Sequence, residues 1–214
     1  MMWELDNRVR SAMVSDSLDT LGVRNQAMDI SVRPLQPGIR IVGIAATSQF
    51  VAQSDYDQKD PYGAAIDYLD TLAQGEVAVI ATGGQALSAF WGELFSAAAK
   101  GRGAHGVVTD GPLRDTEQII SIGFPAFGKA SRPYDYKGRM ALTSSRQEVV
   151  CGGVTVSNGD GIIADSDGVV VVPKALLNEV SELANARAIA EKTVLKDLLA
   201  GKSVREVWNS YGIL

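Results

Sequence analysis

Apolar residues recur along this chain with two different spacings, and the change from one to the other divides it. Leu5, Val9, Ala12 and Met13 stand at helical intervals within residues 4–21. Ser15-Asp16-Ser17 then predicts the cap of a short second helix through Leu18 and Leu21, closed by Gly22. After breaks at Pro34 and Pro37-Gly38, the β-branched run Ile39 to Val51 predicts one long or bulged strand, interrupted by Gly43. Pro61 suits the first position of a helix through Leu72, ended by Gly75. Val77 to Ile80 predicts a short buried strand, and Gly83-Gly84 a loop. A helix from Gly92 to Lys100 ends at Gly101, a strand covers Val107 to Thr109, and Thr116 caps a helix to about Ile122. Residues 76–122 therefore read strand, helix, strand, helix, the signature of a parallel α/β core.

Beyond that point the strand signals shorten: Pro125 to Phe127, Val149-Val150, Val154 to Val156, Ile162-Ile163 and Val169 to Val172. Asn158-Gly159-Asp160-Gly161 predicts a turn between two of them. Leu176, Val180, Leu183, Val194 and Leu198 place one long amphipathic helix between Pro173 and about Ala200. Gly201 stops it, and Ser203 caps a last short helix containing Val204, Val207 and Trp208. No linker, repeat or low-complexity segment interrupts the 214 residues, so the expectation is one mixed α/β domain over 1–214.

Composition narrows the function classes. Apolar content of 46% with 21% charged residues describes an ordinary globular chain, and a net charge of −5 without a basic run argues against nucleic acid as a partner. Cys151 is the only cysteine, which rules out an intrachain disulfide. The acidic first residues lack the apolar stretch of a secretory leader, and no apolar run approaches the roughly 20 residues that span a bilayer. A cytoplasmic protein without membrane attachment is expected.

Several motifs mislead. Gly101 to Gly106 matches G-x-G-x-x-G, but a helix precedes it and a strand follows, the reverse of a dinucleotide site, so it reads as a helix stop and turn. There is no phosphate loop of the G-x-x-x-x-G-K-[ST] type. His105, the single histidine, sits in that turn, and one Cys with one His cannot make a zinc site. Asp165-Ser166-Asp167-Gly168 lacks the later glutamate of a calcium loop and reads as a strand turn. Lys100 closes a helix, where its charge suits the dipole, and Lys129 has no feature that would lower its pKa for Schiff-base chemistry.

Glu93, Arg114 and Asp115 remain. Twenty residues separate Glu93 from Arg114. In one reading the two carboxylates serve helix starts and the arginine pairs with either. In the other, Asp115 ligates a hard divalent ion directly and Glu93 does so through water. The amides of Gly92, Glu93, Leu94 and Phe95 then form a helix N-terminus for a carboxylate, and Arg114 offers a planar fork to a keto acid. Together they would stabilise charge growing on a keto oxygen.

The stretch from Trp91-Gly92-Glu93-Leu94 through Ala99-Lys100-Gly101-Arg102-Gly103 to Gly106-Val107-Val108-Thr109-Asp110-Gly111 and Arg114-Asp115 resembles the family of 4-hydroxy-4-methyl-2-oxoglutarate aldolases and the regulator of ribonuclease activity A. Ser15 to Leu18, Arg33-Pro34-Leu35, Phe124-Pro125, Asn158-Gly159-Asp160 and Gly168-Val169-Val170 extend the likeness over most of the chain. The resemblance implies a layered β/β/α sandwich of the swivelling-domain type with a long C-terminal helix, assembled as a homotrimer or a dimer of trimers. It implies a class II lyase using Mg²⁺ or Mn²⁺, which cleaves a 4-hydroxy-2-oxo acid to pyruvate and a second carbonyl compound and also decarboxylates oxaloacetate. Asp115 would bind metal, Arg114 the pyruvyl unit, and Glu93 a metal-bound water. Glu191 from a neighbouring subunit would complete the site. The aldolases usually carry aspartate where this chain has Glu93. The family also implies an alternative, a non-catalytic regulator of a ribonuclease. A quinone methyltransferase fits poorly, because no glycine-rich loop lies between a strand and a following helix.

Overall fold

The computed structural model describes residues 3 and 5–213. Twelve strands follow in chain order: β1 (Arg33–Pro34), β2 (Ile41–Ala52), β3 (Glu76–Ala81), β4 (Gly106–Thr109), β5 (Pro112–Leu113), β6 (Ala126–Gly128), β7 (Ala130–Ser131), β8 (Met140–Ser145), β9 (Val149–Cys151), β10 (Val154–Val156), β11 (Gly161–Asp165) and β12 (Gly168–Val172). The helices are α1 (Ser11–Thr20), α2 (Gly63–Asp70), α3 (Glu93–Gly101), α4 (Thr116–Ser121), α5 (Leu177–Leu199) and α6 (Val204–Tyr211).

The main sheet runs β1-β6-β4-β3-β2-β11-β12, with β8 also paired to β2. Strands β2, β3, β4 and β6 are mutually parallel, as the alternation of strand and helix requires; β1, β8, β11 and β12 join antiparallel. The two ends of the sheet nearly meet. Ala27 bridges to Val170, the Met28 amide donates to the Val169 carbonyl at 2.9 Å, and Arg33 Nη1 donates to the Asp167 carbonyl at 3.0 Å.

Alternation along the strands builds separate cores. Val77, Val79 and Ala81 face an inner cluster with Ile41, Phe127, Ile162 and Val171. Ala78 and Ile80 face outward into a second cluster under α2, α3 and α4, with Leu69, Phe90, Trp91 and Ile119. Ile163, Val170 and Val172 carry a third, covered by α1 and α5 through Val14, Leu18, Val180 and Ala184.

Two expectations change. The N-terminal region forms one helix, α1, not two: the Ser17 hydroxyl donates to the Met13 carbonyl and Thr20 to that of Asp16, so these residues lie inside the helix. Its start is capped from afar, since the buried Asp165 carboxylate accepts the Ser11 amide at 2.7 Å and the Ser11 hydroxyl at 2.6 Å. In β2 the irregularity falls between Gln49 and Phe50 rather than at Gly43. Gly43 is needed because a Cβ there would lie 2.5 Å from the Gly75 carbonyl oxygen. The Asn158 to Gly161 turn joins β10 to β11 as expected, although the two strands do not pair: β10 pairs with β9, and β11 with β12 and β2. The last helix begins as expected, with Ser203 and Glu206 forming a capping box.

Candidate active site

Ligands of parallel α/β sheets gather beyond the carboxyl ends of the strands. Here three loops emerge at that edge, after β3, β4 and β6, and backbone hydrogen bonds lace them together. The Arg114 amide donates to the Trp91 carbonyl at 3.0 Å, the Ala89 amide to Tyr134 at 2.9 Å, and the Arg132 amide to Leu113 at 2.8 Å. Asp110, at the end of β4, is buried and fixes the first loop. Its carboxylate accepts the amide and the hydroxyl of Thr82, both at 2.7 Å, and the Gly84 amide at 3.0 Å.

Trp91 secures the start of α3. Its indole N–H donates to the Ser96 hydroxyl at 2.8 Å, which in turn donates to the Gly92 carbonyl at 2.9 Å. Gly92 brings the backbone close to the second loop: a Cβ there would sit 2.5 Å from Asp115 Oδ2 and 3.0 Å from Arg114 Cγ. Asp115 has a left-handed backbone, φ 53°, a conformation that costs a non-glycine residue on the order of 1 kcal/mol. That strain turns the carboxylate back towards α3, where Oδ2 accepts the Glu93 amide at 3.3 Å and lies 3.7 Å from Arg114 Nε.

A pocket of about 280 Å³ opens beside these groups, lined by Arg114, Asp115, Gly92, Leu94, Phe95, Ala89, Phe90, Ile66, Tyr62 and Tyr136. Arg114 and Asp115 thus share one pocket with three of the four backbone positions read as an anion site. The first-turn amides of Leu94 and Phe95 have no intrahelical acceptor. Glu93 is half-exposed; its amide serves Asp115, and its side chain is not among those lining the pocket.

Tyr62, Asp135 and Tyr136 carry no signature of their own in the sequence. The only available signal was position, since the run Arg132 to Tyr136 is the loop after the next parallel strand. Asp135 Oδ1 lies 3.4 Å from Arg114 Nη1, and Asp135 Oδ2 accepts the Tyr62 hydroxyl. That bond, with burial, pushes the Tyr62 phenol above its usual range. Burial, then the Asp135 charge, pushes up Tyr136 as well.

The remaining candidates lie elsewhere. His105 stands just before β4, at the opposite end of the strand, with Nδ1 2.7 Å from the Val42 carbonyl. Lys100 Nζ donates to the Ile122 carbonyl. Asp165 caps α1 and accepts the Asp167 amide at 3.0 Å within the β11–β12 turn. Glu191 lies on α5, where it accepts from Arg187 Nε at 2.7 Å.

A sequence model of the RraA-like family, Aldolase/RraA, matches residues 11–171. The chain belongs to the RraA-like family. It is 29% identical over 201 residues to protein DlpA of Legionella pneumophila, an alignment covering 94% of this chain but only 32% of DlpA. Over 166 residues it is 29% identical to a protein of Halalkalibacterium halodurans provisionally named a 4-hydroxy-4-methyl-2-oxoglutarate aldolase, covering 78% of this chain and 73% of that one. Its structure matches that of Streptomyces coelicolor RraAS2, an unusual member of the RNase ES inhibitor RraA protein family, with a TM-score of 0.77 at 28% identity, covering 87% and 92% of the two chains. The mixed α/β architecture, with its nearly closed sheet and long helix near the C-terminus, is that of RraA-like structures.

The donor set also bears on a metal. Among the described residues no group of three or more His, Cys, Asp or Glu side chains is placed to hold an ion. One guanidinium faces the carboxylates of Asp115 and Asp135, so an anionic ligand entering alone meets more negative charge than positive. Mg²⁺ is commonly bound through one or two carboxylates, with water and substrate oxygens completing its shell. The accessible Asp115 carboxylate and the open volume beside it fit that mode.

Proposed function

We propose that the protein is a lyase of 2-oxo acids that requires a divalent ion, Mg²⁺ or Mn²⁺. It cleaves a 4-hydroxy-2-oxo acid to pyruvate and a second carbonyl compound. The observation that carries this reading is the seating of Arg114 and Asp115 against the first turn of α3 at a pocket with mainly apolar walls.

In this reading Asp115 would hold the ion and Glu93 would orient a water molecule. Such an ion supplies positive charge where the keto oxygen gains negative charge. Arg114 binds the carboxylate of the pyruvyl unit, and the amides of Leu94 and Phe95 add dipolar attraction. Asp135 and Asp115 hold the guanidinium between them, which limits its search for the substrate. Cleavage breaks the C3–C4 bond; the C4 hydroxyl proton passes to Glu93 through water, and the bonding pair leaves as pyruvate enolate, which takes a proton at C3. Decarboxylation of oxaloacetate passes through the same enolate. The proposal includes a trimer or dimer of trimers in which Glu191 of a neighbouring subunit approaches the site.

The test is pyruvate release from 4-hydroxy-2-oxo acids and from oxaloacetate, with Mg²⁺ and with EDTA. Release unaffected by EDTA, or full activity in Asp115→Ala, would sink the mechanism. A second reading, a non-catalytic regulator of a ribonuclease, draws on the likeness to RraAS2. Partner capture that survives Arg114→Ala, with no turnover of any 2-oxo acid, would favour it.

A further inference from the structure

Four of the residues lining the pocket, Ile66, Phe90, Tyr62 and Tyr136, take no part in the proposed grip on the pyruvyl unit. Arg114 is the one cation among the described lining residues, and the proposed function already commits it to the pyruvyl carboxylate. Beneath that guanidinium lies Asp135, whose Oδ1 is buried with no hydrogen-bond donor and whose Oδ2 is taken by Tyr62. The Tyr136 hydroxyl is buried without a partner too, in a residue only 5% exposed. Lys137 Nζ stands 5.8 Å from the Tyr62 ring centre, but it lines the adjoining cleft together with Asp55, Asp57 and Asp60.

From this wall, and resting on the function proposed above, we infer that the half of the substrate beyond the pyruvyl unit is uncharged and apolar, so that the second product is a neutral aldehyde or ketone and not another oxo acid. A second carboxylate would be stripped of water near Asp135, with no cation among the described lining residues besides the committed Arg114. The hydrogen bond to Asp135 raises the Tyr62 phenol and burial raises that of Tyr136, and the same carboxylate and low polarity disfavour a new anion. Aromatic and aliphatic walls instead stabilise an apolar group by removing it from water.

The experiment compares pyruvate release from 4-hydroxy-2-oxo-4-phenylbutanoate and from 4-hydroxy-4-methyl-2-oxoglutarate with Mg²⁺ present. Exchange of the pyruvate methyl protons in D₂O, followed by NMR, is measured alongside, because it needs only the pyruvyl half. The expected result is a kcat/KM about 100-fold higher for the neutral substrate, the order of discrimination an apolar pocket provides. Ile66→Arg, on an exposed position of α2 that lines the pocket, should move that preference about 10-fold towards the dicarboxylate. Equal or better turnover of the dicarboxylate, alongside metal-dependent exchange, overturns this inference and leaves the lyase reading intact. Exchange without cleavage of the phenyl substrate also overturns it. Absence of exchange overturns the lyase reading and this inference together.

Discussion

Gly92→Ala tests how closely the active-site loops must approach one another. Gly92 has φ −149° and ψ −165°, extended backbone that alanine adopts without strain. The substitution therefore acts only through its added methyl group. That carbon would lie 2.5 Å from Asp115 Oδ2, 3.0 Å from Arg114 Cγ and 3.2 Å from Arg114 Nε. Ordinary contact begins near 3.4 Å, so the Asp115 carboxylate has to retreat by about 0.9 Å. The atoms that move are the ends of partly exposed side chains, so stability should change by less than about 1 kcal/mol. A displacement near 1 Å of a reacting or orienting group costs about 100-fold in rate. The assay pairs pyruvate release with a thermal melt followed by circular dichroism. The expected outcome is a loss of about 100-fold in kcat/KM with the melting temperature nearly unchanged. Wild-type turnover would refute the placement of Asp115 and Arg114 in the site. A large drop in melting temperature would show instead that the close approach serves folding.

Further predictions concern stability. Asp165→Ala leaves the Ser11 amide and hydroxyl without their acceptor in a buried place, and should cost about 2 kcal/mol, or ~6 °C in melting temperature; an unchanged melt would refute the long-range cap. Ser96→Ala strands the buried Trp91 indole N–H and should cost about 2 kcal/mol in urea unfolding, whereas retention of full stability would mean another acceptor serves it. Burial pushes the Cys151 thiol above its ordinary 9.0 and the Tyr68 and Tyr136 phenols above their ordinary 10.0. The unfolded chain therefore sheds these protons first, so their contribution is complete below about pH 9 and declines as pH rises. Unfolding free energies flat between pH 8 and pH 11 would contradict this. By the same burial, Cys151 should resist alkylation at pH 8 until denaturant is added, and prompt native labelling would refute its enclosure.

Much of the parallel core was legible because its signals are local. The strand at Val77 to Ile80, the helix that ends at Gly101 and the strand after the Gly103 turn follow from periodicity and from glycines in left-handed turns. The same logic recognised residues 101–106 as a helix stop. The strand β8 has no local signature, because Met140 to Ser145 has little apolar alternation of its own. It becomes a strand by pairing with the far end of β2, nearly a hundred residues earlier in the chain. The extra helix expected at Ser15 to Ser17 failed because the local chemistry of a cap is the same as that of a hydroxyl bonding back inside a helix.

By itself the sequence determined the class of fold, the family, and the placing of Glu93, Arg114 and Asp115 around neighbouring strand ends. Those features depend on short-range periods and on turn residues whose geometry is nearly the same in any protein. Only the tertiary structure decided which side chains meet. It drew the ends of the sheet together through the Ala27–Val170 bridge, capped α1 with a carboxylate from β11, and turned Asp115 back onto the first turn of α3. It also brought Tyr62, Asp135 and Tyr136 to the pocket and left the Glu93 side chain outside its lining. These contacts are set by packing and register between segments far apart in the chain, and a one-dimensional pattern carries no record of either.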